Sequence, residues 1–334
     1  MKRAVFCLTL FLAVFAGFTL THPVAFGRPA AAAGNIEILT PVDHTFVDEA
    51  KSLAVVVKAS GDTFDTLKIS VNGRQEKTVA PPGGKMIFCS TAAVQPGMNE
   101  IAVSAMKGGS VAVTRKISVY VRAALSANYI REPSGYSRYL FHSGSNNCFL
   151  CHRMEPKKTD DYPAKPSDSS CYICHKSITA HKYVHGPAAI WSCLSCHNKD
   201  SRPKYAVASP VSQACMPCHA DAINSWQKMK FMHGPTAMGT CTICHDPHSS
   251  DWPFWLKKFP TDLCLTCHAG MTGSHVVTFF NGDPHPIRGK PDPRHNGQEL
   301  SCASCHNPHA SNFKYMLFAD YHNSASFCTG CHKF

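Results

Sequence analysis

Beyond residue 20 the sequence has no apolar run of membrane-spanning length, which excludes a polytopic helical membrane protein. It has no basic arm or stripe. Its 33 Lys and Arg residues are scattered, so the formal charge of +11 gives no support to a nucleic-acid surface. Cysteine is nearly absent from residues 35–122, where Cys89 stands alone. No βαβ pattern surrounds the cysteine pairs elsewhere, which excludes a thioredoxin-like dithiol.

The N-terminal 33 residues have the layout of a secretory signal. Lys2 and Arg3 precede an apolar run from Ala4 to Leu20, and small residues follow at Ala25-Phe26-Gly27 and Ala31-Ala32-Ala33. Cys7 lies too early in that run to be a lipoprotein cysteine. An uncleaved anchor is the alternative reading. Export to the periplasm or outer surface of a bacterium is the expectation.

Residues 35–122 alternate β-branched segments with turn signals. The segments are Ile36–Leu39, Leu53–Ala59, Thr66–Val71, Met86–Cys89, Glu100–Met106 and Val111–Val121. The turns are Asn72-Gly73, Pro81-Pro82-Gly83-Gly84, Gln95-Pro96-Gly97 and Gly108-Gly109. Short strands at this spacing predict an all-β sandwich or barrel. Cys89, in an alternating strand, is expected to be a buried small hydrophobe. Residues 123–140 read as a linker.

The remaining segment, 141–334, holds eight copies of Cys-x-x-Cys-His. Their thiols are Cys148 and Cys151, Cys171 and Cys174, Cys193 and Cys196, Cys215 and Cys218, Cys241 and Cys244, Cys264 and Cys267, Cys302 and Cys305, and Cys328 and Cys331. The adjacent histidines are His152, His175, His197, His219, His245, His268, His306 and His332. A zinc ribbon needs paired cysteines but no histidine directly after the second. The pentapeptide is the attachment site of c-type haem: two thioethers fix the porphyrin and the histidine lies under the iron. Eight covalently bound haems c are therefore expected. With so little chain per cofactor, the porphyrins must form the core, and folding should depend on them.

Haem also changes the charge. Each oxidised bis-His haem contributes about −1, so a mature chain near +9 becomes about +1, and about −7 when reduced. Basic side chains are expected to partner propionates first.

The motifs come in pairs. First cysteines lie 23, 22, 23 and 26 residues apart within pairs, and the pairs begin 45, 48 and 61 residues apart. This is a four-fold repeat of a two-haem module. His185-Gly186-Pro187 and His233-Gly234-Pro235 each stand eight residues before a first motif, and Cys244-His245-Asp246-Pro247-His248 matches Cys305-His306-Asn307-Pro308-His309.

Ten other histidines lie in this region for eight distal positions. His248 is too close to His245 to reach round the same haem, so it is expected on the haem of His268, and His309 on that of His332. His142, His185, His233 and His285 precede the first motifs and are expected on those haems. His181 and His275 are favoured for the last two places, with His295 and His322 as alternatives. Met residues in the region are expected to pack against porphyrin faces.

These motifs resemble the doubled-CxxCH multihaem cytochromes, exported bacterial electron carriers, over all of 141–334. The first two modules depart from the pattern, with Glu155 and Asp200 where the others have His248 and His309. The 35–122 segment resembles bacterial Ig-like sandwich modules through Ile36-Glu37-Ile38, Ile69-Ser70-Val71-Asn72-Gly73 and Pro96-Gly97-Met98-Asn99-Glu100-Ile101-Ala102-Val103. Such modules serve as spacers, docking surfaces or carbohydrate binders.

The fold class expected is thus a multidomain chain: an N-terminal Ig-like sandwich and a C-terminal multihaem domain of short helices. The resemblance implies an electron carrier without catalytic residues. It would serve anaerobic or extracellular respiration, and its partners would be other redox proteins or an outer-membrane electron conduit. No small-molecule substrate is expected. One alternative is an octahaem reductase of small nitrogen or sulfur oxyanions, and another a subunit of a cytochrome filament or membrane conduit.

Overall fold

The structure is a computed structural model that describes residues 34–60, 64–80, 87–122, 133–142, 148, 152, 154–271, 273–320 and 324–333. The signal reading of 1–33, Cys7, Cys151 and His322 lie outside the described residues.

The N-terminal strands are β1 (Asn35–Thr40), β2 (Thr45–Asp48), β3 (Ser52–Ser60), β4 (Thr66–Val71), β5 (Arg74–Val79), β6 (Ile87–Ala93), β7 (Gly97–Lys107), β8 (Ser110–Arg122) and β9 (Ser137–Arg138). They form two sheets, ordered β1-β3-β6 and β5-β4-β7-β8-β2-β9. Neighbours are antiparallel, except that β2 runs parallel to both β8 and β9. Alternation sends every second residue inward. Leu67, Ile69 and Val71 of β4 therefore meet Ile101, Val103 and Ala105 of β7 and Leu53, Val55 and Val57 of β3 in one buried cluster. This is the Ig-like sandwich.

Two of the turns read from sequence close hairpins. Asn72-Gly73 has φ 52° and 79°, and Gly108-Gly109 has φ 57° and 78°, so each two-residue loop sits in the left-handed region that tight hairpins require. Strands β2 and β5 carry too little apolar patterning to have been read from sequence. Both are held by backbone pairing to β8 and β4.

Two expectations are corrected. Cys89 is exposed, because Phe88 beside it points into the core and period-2 alternation turns Cys89 outward. The stretch read as a linker, 123–140, ends in β9, which extends the larger sheet. Tyr139, like Phe141 just beyond it, packs against the core.

The C-terminal region has short helices, 3-10 turns and two-residue ladders. The exception to its short elements is the helix Ser212–Gln227, which runs through the Cys215–His219 motif with a break at His219. Its buried apolar side chains among the described residues are few: Trp191, Leu263, Leu300, Ala310 and Leu317. Almost all of the protein's own core lies in the sandwich. No helix of the described residues is long and apolar enough to cross a membrane.

The two regions touch. Lys257 Nζ lies 2.6 Å from Glu49 Oε2, and Lys51 Nζ lies 2.9 Å from His181 Nε2.

Asn99 is fully buried at the start of β7. Its Nδ2 donates to the carbonyls of Gln95 (2.7 Å) and Gly97 (3.0 Å), and its Oδ1 accepts from Gln95 N–H (3.0 Å). Asn99→Ala removes these three hydrogen bonds from a part-buried turn, a cost of about 0.5–1.5 kcal/mol per bond. In calorimetry of the full protein, the sandwich transition is expected to fall by about 4–8 °C per kcal/mol lost.

Candidate haem-binding sites

The motifs whose residues are all described are helical turns closed on themselves. The histidine N–H donates to the carbonyl of the first cysteine at 2.9 Å for His152, 3.0 Å for His175 and His197, 3.1 Å for His245, 2.9 Å for His268, 3.0 Å for His306 and 2.8 Å for His332. In such a turn positions i, i+3 and i+4 share a face, so both thiols and the imidazole address one side. None of the described cysteines is in a disulfide.

Among the described residues, seven of the eight motif histidines face a second histidine across a gap. Ring centroids are 6.0 Å apart for His175 with His142 and for His245 with His309. They are 6.1 Å apart for His197 with His248 and His268 with His233. They are 6.2 Å apart for His219 with His185, His306 with His275 and His332 with His285. Two imidazoles on opposite faces of one metal, each with a metal–nitrogen bond of about 2.0–2.1 Å, place their ring centres about 6 Å apart. The gaps therefore fit one iron each.

Orientation fits as well. Nδ1 of His197, His245 and His306 each donates to a backbone carbonyl at 2.7 Å, that of Tyr205, Phe254 and Tyr315 respectively. Those three aromatics have φ of 62°, 58° and 57°. A non-glycine residue in that region costs about 1–3 kcal/mol, so the tertiary structure holds it there. Among the second histidines, His185 Nδ1 donates to Pro247 O at 3.0 Å and His285 Nδ1 to Pro286 O at 2.8 Å. With Nδ1 used, Nε2 is left for metal. Burial pushes the His175 and His309 imidazoles down to about 4 and also lowers His142, His185, His197 and His233. These rings are neutral near pH 7, the form that ligates.

The pairing differs from the sequence expectation. His248 faces His197 of the preceding module, not His268, and His309 faces His245, not His332. His142, His185, His233 and His285 face the second motif histidine of their own module, not the first. His275 faces His306 in the next module. The cause is a pair of ladders between consecutive modules, formed by strands β10 (Tyr183–Val184), β11 (Phe231–Met232), β12 (Ser249–Ser250) and β13 (Ala310–Ser311). Strand β10 pairs with β12, and β11 with β13. His185 N–H donates to His248 O and His233 N–H to His309 O, both at 2.9 Å, so each ladder fixes two ligand positions at once. Backbone pairing between two-residue strands has no signature in side-chain spacing.

His181 faces no motif histidine among the described residues. Its Nδ1 lies 3.0 Å from Asp251 Oδ2 and its Nε2 2.9 Å from Lys51 Nζ. His295 Nδ1 lies 2.8 Å from Asp292 Oδ2, which also accepts from Ser304.

The thiols order the motifs. Cys171 has Cys193 as a neighbouring thiol, Cys215 has Cys241, and Cys264 has Cys302. The neighbouring thiol pulls Cys171 down to about 7 and Cys241 and Cys302 to about 6, and pushes their partners up. Each neighbour pair joins the second motif of one module to the first motif of the next. Inside modules two to four the second cysteines are neighbours close enough to interact electrostatically: Cys196 with Cys218, Cys244 with Cys267, and Cys305 with Cys331. In module one Cys174 feels Cys148. Motif follows motif in chain order.

Buried polar atoms also await a partner. His142 Nδ1 and the Trp255 indole N–H are buried with no hydrogen bond. Among the described residues no three His, Cys, Asp or Glu side chains converge as a metal cage, so the opposed pairs are the metal-binding geometry present. Thiol pairs, opposed imidazoles and a region without its own core all fit haem.

A family model matches these motifs. Residues 185–224, 233–273 and 293–334 match the family model of the doubled CXXCH motif, which covers modules two to four. No curated protein matches the chain. Among solved structures, the fibronectin(III)-like modules of CbhA from Clostridium thermocellum are 13% identical. They cover 27% of this chain and 98% of theirs, with a TM-score of 0.23. The endo-beta-1,4-mannanase from Thermotoga petrophila is 16% identical over 27% of this chain and 20% of its own, with a TM-score of 0.23. A Cellulomonas fimi endo-beta-1,4-mannanase double mutant is 17% identical over 27% and 19%, with a TM-score of 0.21.

The turn that carries His248 is held by Asp246, whose Oδ1 accepts the His248 N–H at 3.0 Å. Asn307 holds His309 the same way at 3.0 Å. Asp246→Asn is therefore expected to be silent. Asp246→Ala is expected to weaken the hold of His248 on its metal by about 10–100-fold, as loss of an outer-shell partner does. Imidazole competition followed by absorbance checks both.

Proposed function

We propose that this chain, whose C-terminal region carries the doubled CXXCH motifs of a multihaem c-type cytochrome, is an exported octahaem electron carrier of anaerobic or extracellular respiration. When bound, haem supplies a one-electron iron couple at each motif. The protein's side chains attach, ligate and space these groups. The sixteen motif cysteines form the thioethers. His142, His185, His233, His248, His275, His285 and His309 complete bis-His coordination with the motif histidines they face, and such ligation favours low potential relative to His–Met.

The observation that carries the reading is the set of seven opposed imidazole pairs, each with a gap that fits one iron. Four pairs lie within a module and three join consecutive modules, which supports a file of attachment sites in chain order. No side chain needs to move for charge to pass, since the protein's role is fixed spacing and exclusion of water. The sandwich, held to the haem region through Glu49–Lys257 and Lys51–His181, offers a docking face for a redox protein or an outer-membrane conduit. The charged and apolar layout of residues 1–33 supports export to the periplasm or cell surface of a bacterium.

Intact-mass measurement of protein made in a host that matures c-type cytochromes is expected to show eight haem additions and loss of the N-terminal segment. A mass with fewer additions, or zinc in place of iron, would sink the octahaem reading.

A further inference from the structure

We propose that the iron at Cys148–His152 keeps an exchangeable sixth position, open to a small diatomic ligand such as carbon monoxide or nitric oxide, because Asp200 stands where the next two modules present a histidine. The inference rests on the haem reading proposed above.

Three turns are built alike. The side-chain oxygens of Asn198, Asp246 and Asn307 accept the backbone N–H two residues on, from Asp200 at 2.9 Å and from His248 and His309 at 3.0 Å. The loops that follow also match. His197, His245 and His306 each donate Nδ1–H to a left-handed aromatic at 2.7 Å, and each loop closes with a backbone bridge, Asn198 to Ala206, His245 to Leu256 and His306 to Leu317. In modules three and four this turn delivers an imidazole to the first motif histidine of the preceding module: His248 to His197 and His309 to His245.

Among the described residues module two meets module one without a ladder like those of the later modules, but through an equivalent aromatic contact. The Tyr205 ring meets His142 edge-on at 4.7 Å, as Trp255 meets His185 at 4.9 Å one module later. Tyr205 Oη–H donates to Met154 O at 3.2 Å, and Lys204 pairs with Glu155. By analogy with the later modules, these contacts assign the turn of Asp200 to the haem of His152, and the turn ends in a carboxylate. That carboxylate is turned to solvent: its side chain is 77% exposed and lies 2.9 Å from Lys199 Nζ. Among the described residues no other histidine is placed opposite His152: His181 has a partner at both ring nitrogens, the Nδ1 of His295 lies 2.8 Å from Asp292, and the seven facing histidines each stand opposite another motif. Glu155 at the equivalent place in module one has no preceding module to serve, so of the two acidic replacements only Asp200 leaves an iron short.

The test uses the full-length matured protein. Intact mass first counts the haems. Reduced protein is then titrated with carbon monoxide, and oxidised protein is examined by electron paramagnetic resonance. Wild type is expected to bind about one carbon monoxide per chain and to show one high-spin ferric haem beside low-spin ones. Asp200→His is expected to abolish both signals and Asp200→Ala to keep them. Eight haems with no carbon monoxide bound and no high-spin signal overturn the inference and leave the octahaem reading standing. So does a D200H protein that still binds one equivalent. Should D200H fail to mature, the wild-type stoichiometry decides. A mass that shows the Cys148 motif unmodified overturns the reading and the inference together.

Discussion

A gap of 6.0–6.2 Å between opposed imidazoles, repeated seven times, is the constraint on which the C-terminal region depends. Protein atoms alone would not keep such gaps. Buried neutral rings held apart bury little apolar surface, and the region has few buried apolar side chains to offset the cost of ordering its chain. A metal that joins two rings from distant segments supplies the missing stabilisation, as structural metals do in other small domains. The short elements are then consequences: the motif turns aim the ligands, the two-residue ladders bring them from the next module, and left-handed aromatics fix the imidazole tautomer.

The sandwich obeys the opposite logic. Its alternating strands bury Ile69, Ile101, Val103 and their neighbours in a conventional core. It meets the haem region through side-chain pairs, Glu49 with Lys257 and Lys51 with His181. One chain therefore joins a unit stabilised by apolar burial to a unit stabilised by cofactors.

The sequence made the motifs, the four-fold repeat and six of the strands legible, because each is written in local spacing. It misled on Cys89, where one residue of register separates the core from solvent, and on strand β9, which has only two residues. It also misled on ligand partners. His248 cannot reach round the haem beside it, and sequence reasoning chose the next haem along the chain as recipient. The structure sends it backward to His197 instead, because β10 pairs with β12. The meaning of Asp200 changed with that direction. Read forward, the acidic replacements at 155 and 200 mean that the second haems of modules one and two take their distal ligands from elsewhere. Read backward, Glu155 costs nothing and Asp200 falls on the first motif of the chain.

Backward donation also gives the molecule a calendar. A chain delivered N-terminus first presents His197 before His248 exists and His245 before His309 exists. Each first site in modules two and three thus waits for the following module, whereas each second site finds its partner already made upstream. Maturation must tolerate half-built centres in the middle of the chain. The final module alone draws both of its second histidines, His275 and His285, from residues that precede its motifs.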